Sequence, residues 1–368
     1  MTGSGFRSRA FVLLLAVLVG GGCGDDTVAP VTRDFLQGTA TNPQIGLVVN
    51  STGKALTLFQ LANPSMTREI PFGASNAVTP VGLVFRGTHA VVPLGDAASV
   101  ALVDLDGLRI ERFFTFPSGN ATGVAFVDDT TFLVANVVGN YVGRVTFHQA
   151  SSAITDTVHV APGPTAIVVA VGKAFVVSVN LDINYQPIGP GVVTVINPAT
   201  MSPIDTLESG GTNSSAAAVG PDGVVYVVNT EDYVADGSVT AINPATLQVV
   251  GTYGGFGSGP GSIKIGATGM AYVSAFFTGT LVWNTATHTF VRDLANPVCA
   301  PLASPPGACR GAFDATRASD GSIYQVFFGS PSQSLPPYVF VYSPSYVLVD
   351  SVSVGVGPAS IDIGVFAQ

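Results

Sequence analysis

This chain of 368 residues has little charge, few cysteines and no long apolar run that could cross a membrane in the mature protein. Only 10% of its residues are charged, and they comprise 14 Lys and Arg against 23 Asp and Glu. A basic face for nucleic acid is therefore lacking, because such surfaces work by neutralising phosphates with clustered cations. There are three cysteines and four histidines. That is too few for a disulfide-built mini-protein or a zinc-ribbon array. After residue 30 no stretch of useful length shows apolar residues at helical spacing, which argues against an α-helical solenoid.

What is present is repetition. Short runs of apolar, β-branched and aromatic residues begin at Leu47, Ala90, Phe132, Phe175, Tyr226, Tyr272 and Tyr324, at steps of 43, 42, 43, 51, 46 and 52 residues. Three further sets of strands fall in register around them. The inner set reads VGLVF (81–85), GVAFV (123–127), AIVVAV (166–171), AAAVG (216–220), SIKIG (262–266), AFDAT (312–316) and SIDIGV (360–365). A third set runs from ALTLFQL (55–61) to YVFVY (338–342), and a looser fourth set includes TREIPF (67–72), ERFFTF (111–116) and LVDSVSV (348–354). Turn residues separate them, as in PDG at 221–223 and NPAT at 197–200 and 243–246. A four-stranded unit near 45 residues cannot bury both faces alone and must stack on its neighbours. The fold class expected is all-β, a seven-bladed β-propeller of four-stranded antiparallel blades over 44–368.

The first unit has no inner strand of its own, and a spare one stands at the far end of the chain. Docking 359–365 beside 45–50 closes the ring through a shared blade and leaves no open seam. Alternation puts Ile361, Ile363 and Val365 on one face. At about 1.5–3 kcal/mol per buried aliphatic side chain, that face contributes about 5–9 kcal/mol as an upper bound.

The fifth unit, GPDGVVYVVNTEDYVADGSVTAINPATLQVVGTY (220–253), resembles the YVTN-type β-propeller repeat, and a Pro lead-in recurs at Pro80, Pro164, Pro260 and Pro358. Pro93 departs from the pattern, falling where the repeat expects a strand. The resemblance implies a fold and an extracytoplasmic setting more than an activity.

The N-terminus reads independently as an export leader. Arg7 and Arg9 precede AFVLLLAVLV (10–19), then three Gly and Cys23. A basic region, a short apolar core and small residues are the parts of a signal peptide, and the core is too short to span a bilayer. The Gly-Gly-Cys ending resembles a bacterial lipoprotein signal, so residues 1–22 are expected to be cleaved, Cys23 to be lipidated, and 23–43 to act as a flexible tether. The expected location is the cell envelope, with the membrane reached only through the lipid anchor. Losing Arg7 and Arg9 leaves 12 basic against 23 acidic residues, a net charge of −11.

Cys299 and Cys309 lie ten positions apart in a Pro-rich segment without other soft ligands, so a disulfide is expected rather than a metal site.

In a propeller blade the 2–3 and 4–1 connections share one rim. The long insertions 180–190, 230–237, 329–337, 209–215, 254–261 and 296–311 are all of this kind, and the other rim is expected to have only tight turns. Loops on a rigid scaffold carry function, which makes the loop-bearing rim the expected binding face for a protein or small-molecule ligand. It would display Asn50, Asp96, Asn136, Asn180, Asp182, Glu231, Asp232 and Arg310, with Tyr185 and Tyr233 beside them. The competing account is that these side chains cap turns and strand ends.

Catalytic signatures are weak. GFGSG (255–259) matches GxSxG but lacks the helix that a nucleophile elbow requires. DLDG (104–107) echoes a calcium loop without its other oxygen positions. No cofactor is implied, and a monomer is expected. The favoured reading is a binding scaffold; the alternative is a metal-dependent lactonase- or lyase-like enzyme with Asp182, Glu231 or Asp232 as ligands at the central channel.

Overall fold

The computed structural model describes residues 44–148, 153–154, 156–301, 309–330 and 334–365. The expected leader, the tether and the lipidation site Cys23 lie outside the described residues. The strands form seven four-stranded antiparallel sheets, and six of them are built from four consecutive strands. The seventh, here blade 1, takes its inner strand Pro358–Val365 from the C-terminal end and its other three from Gln44–Asn50, Ala55–Gln60 and Thr67–Pro71. Gln44 faces Val365 and Val48 faces Ile361 along an antiparallel ladder, so the expected closure is what the fold uses.

Burial explains why the repeats read as they do. Second and third strands are covered on both faces and are apolar without alternation, as in ALTLFQ, whose six residues are all buried. Outer strands face solvent; Ser202–Glu208 of blade 4 is exposed almost throughout. Seven apolar clusters fill the seven blade interfaces, and the last joins blade 7 to blade 1 through Val48, Phe59, Tyr324, Val326 and Ile361. Gly46 is required at that seam, since a Cβ there would stand 2.3 Å from the Phe59 ring.

The inner strands start at the loop-bearing rim. Pro164, Pro260 and Pro358 each open one, at a register shift in the ladder, where a missing N–H breaks no bond. Neighbouring blades are tied at this level: Thr122 donates to the Pro164 carbonyl at 2.8 Å, Thr165 to that of Ser214 at 3.1 Å and Thr230 to that of Pro260 at 2.7 Å.

Four local expectations change. Val365 lies at the strand end and is 57% exposed, so of the three aliphatic residues counted toward closure only Ile361 is fully buried and Ile363 is partly so. Pro93 does not interrupt its strand; it is the last residue of His89–Pro93, opposite Val100. The inner strand of blade 2 is shorter than VGLVF and covers Val84–Arg86. The tight-turn rim also has one long connection, 147–155, while the loop-bearing rim gains another at 72–83.

Candidate functional site

On the loop-bearing rim the eight residues expected to form a site are spent on local structure. Asn50 ends a second strand, fully buried, with Nδ2 donating to Thr57 Oγ1 at 2.7 Å, while its Oδ1 is buried and without a partner among the described residues. Asn136 ends the equivalent strand of blade 3; its amide donates to the Ser118 carbonyl and Tyr141 Oη, and its Oδ1 accepts from the Gly139 N–H. Asp96 accepts from Asn120 Nδ2 at 2.5 Å. Asn180 takes the left-handed conformation at φ 67° and donates to the Pro190 carbonyl. Asp182 accepts from the N–H groups of Asn184 and Gln186, and Asp232 from those of Val234 and Ala235. The Gln186 N–H, foremost, holds the Asp182 carboxyl below its ordinary range, and the Ala235 N–H does the same for Asp232. Glu231 accepts from the N–H and hydroxyl of Thr212. Arg310 stacks over Phe327 and Phe340, 5.1 and 5.4 Å from their centroids, beside the Cys299–Cys309 disulfide that the sequence suggested. No hydrogen bond or ion pair joins any two of the eight among the described residues.

The two weak motifs resolve likewise. Ser258 of GFGSG donates to the Tyr233 carbonyl, and Asp236 accepts from the Gly255 and Gly257 N–H groups, so the loop is a carboxylate-capped turn. Asp104 of DLDG accepts from the Gly107 N–H and pairs with Arg109. Among the described residues no group of three or more His, Cys, Asp or Glu is placed to hold a metal ion.

The rim does carry exposed apolar side chains. Ile183 is 93% exposed, Val234 84% and Phe277 65%, with Tyr185, Ile188 and Tyr233 nearby in sequence. They belong to the 2–3 connections of blades 4, 5 and 6. Tyr233 packs on Phe276, which meets Phe313 edge to face, and Phe313 stacks on Phe328, so half-buried rings continue the apolar surface into blade 7.

Sequence reasoning placed its alternative site at the central channel but named for it none of the residues that line it. A cavity of about 410 Å³ on the loop side is lined by inner-strand or lead-in residues of all seven blades. A second, of about 380 Å³, occupies the tight-turn side, and Lys264 lines both. At the height of Lys264, matched by pairing with the second strands, the other inner strands place Val168, Ala218, Thr316 and Asp362. Lys264 Nζ donates to Asp362 Oδ2 at 3.1 Å. One step toward the loops, Asp314 stands where Ala166, Ala216, Ser262 and Ser360 stand elsewhere, and accepts from Ser360 Oγ at 2.9 Å and the Ile361 N–H at 3.1 Å. Desolvation pushes the Asp314 carboxyl up, against the opposing pull of Lys264 and those two donors. Desolvation also works against the Lys264 ammonium, but Asp362 and Asp314 outweigh it and hold its pKa above the ordinary lysine value. Lys264 is thus a fixed cation and a poor nucleophile.

No family model and no curated relative matches the chain. Solved structures do. Hydrazine synthase of Kuenenia stuttgartiensis aligns at 13% identity and a TM-score of 0.60 over 81% of this chain and 97% of that one. A functionally unknown protein from Desulfotomaculum acetoxidans DSM 771 aligns at 14% identity and a TM-score of 0.60 over 87% and 98%. At such identities the likeness is one of fold: this chain is a seven-bladed β-propeller.

Proposed function

We propose that the chain is an exported, lipid-anchored propeller of the YVTN-repeat kind whose loop-bearing rim binds a protein partner. The observation that carries this reading is the apolar arc on blades 4 to 6. Exposed apolar side chains gathered on loops of one rim are what interfaces present, and large ones such as Phe277, Tyr233 and Ile183 are suited to fill pockets on a partner. Among the described residues the tight-turn rim offers only Val171 and Val347 outside its strands. The export setting draws on the leader pattern and on a disulfide, which is at home in an oxidising compartment.

The metal-dependent alternative has less support, because its three acids accept hydrogen bonds within their own loops or the adjoining one. The test is in cells. A photo-reactive residue at position 277 or 183 should yield one discrete adduct, and the same residue at 171 none; equal labelling from both rims would defeat the reading. Cys23→Ala should move the protein from the membrane to the soluble fraction.

A further inference from the structure

The tight-turn end of the channel gathers cationic and hydroxyl-bearing side chains. Its cavity is lined by the ionisable groups Lys264, Arg317 and Asp362 and by the hydroxyl-bearing Tyr272 and Thr316. Asp362 is engaged by Lys264 at 3.1 Å. Arg317 is a second cation on this cavity, in a protein with a formal net charge of −9. Arg317 is tethered only to neutral acceptors, the Gly321 carbonyl at 3.3 Å and Thr268 Oγ1 at 3.5 Å, and no carboxylate pairs with it among the described residues. Tyr272 and Thr316 are buried as residues, but neither hydroxyl oxygen is among the buried polar atoms left without a partner, so both open on the cavity, where no hydrogen bond among the described residues engages them. Two hydroxyls that open on the cavity beside a guanidinium with no carboxylate partner are free to donate to a bound acceptor. Burial pushes the Tyr272 hydroxyl up to about 12, which keeps it a neutral donor.

We propose that this end of the channel binds a small oxyanion, a carboxylate or a phosphate, held by the Arg317 guanidinium and the Lys264 ammonium and completed by the Tyr272 and Thr316 hydroxyls. The planar guanidinium suits a two-oxygen acceptor, and a low-dielectric pocket strengthens both charges. A divalent cation would meet Lys264 and Arg317 there, with Asp362 already engaged by Lys264.

The experiment is calorimetric titration of the purified full-length protein in detergent at low ionic strength and pH 7, with inorganic phosphate in one arm and succinate in the other. One arm should show saturable, one-to-one binding that weakens with added salt. Arg317→Gln should reduce affinity at least about tenfold, the loss typical of a hydrogen bond to a charged group, and Tyr272→Phe about threefold to tenfold, that of an ordinary one. Lys54→Gln, on the opposite rim, should change nothing. No saturable binding in either arm, or unchanged affinity in Arg317→Gln, overturns the proposal. Should that variant not fold, Tyr272→Phe, which keeps the ring in place, decides alone, and unchanged affinity there overturns it equally.

Discussion

Lys264 Nζ lies 3.1 Å from Asp362 Oδ2 and so links the inner strand of blade 6 to the closing strand of blade 1, past Thr316 of blade 7. Asp314 of blade 7 holds the same closing strand through Ser360 and the Ile361 N–H. A mostly apolar ring therefore meets its own C-terminal strand through a polar latch. Both members of the ion pair are only about a quarter exposed, at 28% and 27% of their side-chain surface. Removing one partner strands the other, and that is where the cost lies. Lys264→Met should destabilise the protein by about 1–3 kcal/mol, and Lys264→Met with Asp362→Leu by clearly less. Urea midpoints measure both; a single variant as stable as the parent would remove the latch.

Asp314 gives the latch a pH dependence whose sign follows from burial. Its carboxyl is pushed above the ordinary aspartate value of 3.8, so the folded protein holds that proton more tightly than the unfolded chain does. The stability tied to it is greatest below 3.8 and is lost as pH rises through the folded value. Relative to Asp314→Asn, the parent should melt progressively lower between pH 4 and pH 7. Melting curves of the two proteins at both pH values check this, and a constant or widening advantage for the parent would contradict it.

The blades were legible because their second and third strands are buried on both faces, which forces unbroken apolar runs such as FLVAN and YVVN at a fixed spacing. Closure was legible because SIDIGV had no partner in its own unit. The candidate site was not. Asn136, Asp182 and Asp232 attracted notice as polar residues on loops, yet short polar side chains there satisfy backbone N–H groups more often than ligands. A better signal stood inside the inner strands: the Lys of SIKIG and the Asp of AFDAT and SIDIGV are charges where the matching positions of other blades have uncharged residues such as Ala, Val, Ser, Thr and Phe. A charge inside a buried repeat has to be paired, and three on successive blades face one another.

Closure itself is testable at one side chain. Ile361 is fully buried between Val48, Phe59 and blade 7. Ile361→Ala should cost about 2–5 kcal/mol, and truncation after Pro358, which removes nearly the whole ladder to Gln44–Asn50, should abolish cooperative unfolding. Val365→Ala should change little, because that side chain is 57% exposed. If the truncated chain melts as sharply as the intact one, the closing strand is dispensable.

The rim can be separated from the fold by comparing two large side chains of blade 6. Trp283 is 1% exposed and packs on Tyr226, Tyr253 and Phe256, so Trp283→Ala should cost about 3–5 kcal/mol. Phe277 is 65% exposed on a three-residue connection, and Phe277→Ala should leave stability within about 0.5 kcal/mol. If the apolar arc is an interface, the second substitution should nonetheless erase the adduct formed from position 183, since both positions would cover one partner. A protein that keeps its melting temperature and loses that adduct has lost a contact surface and nothing else. A Phe277→Ala variant that retains the adduct at full yield would place the partner elsewhere.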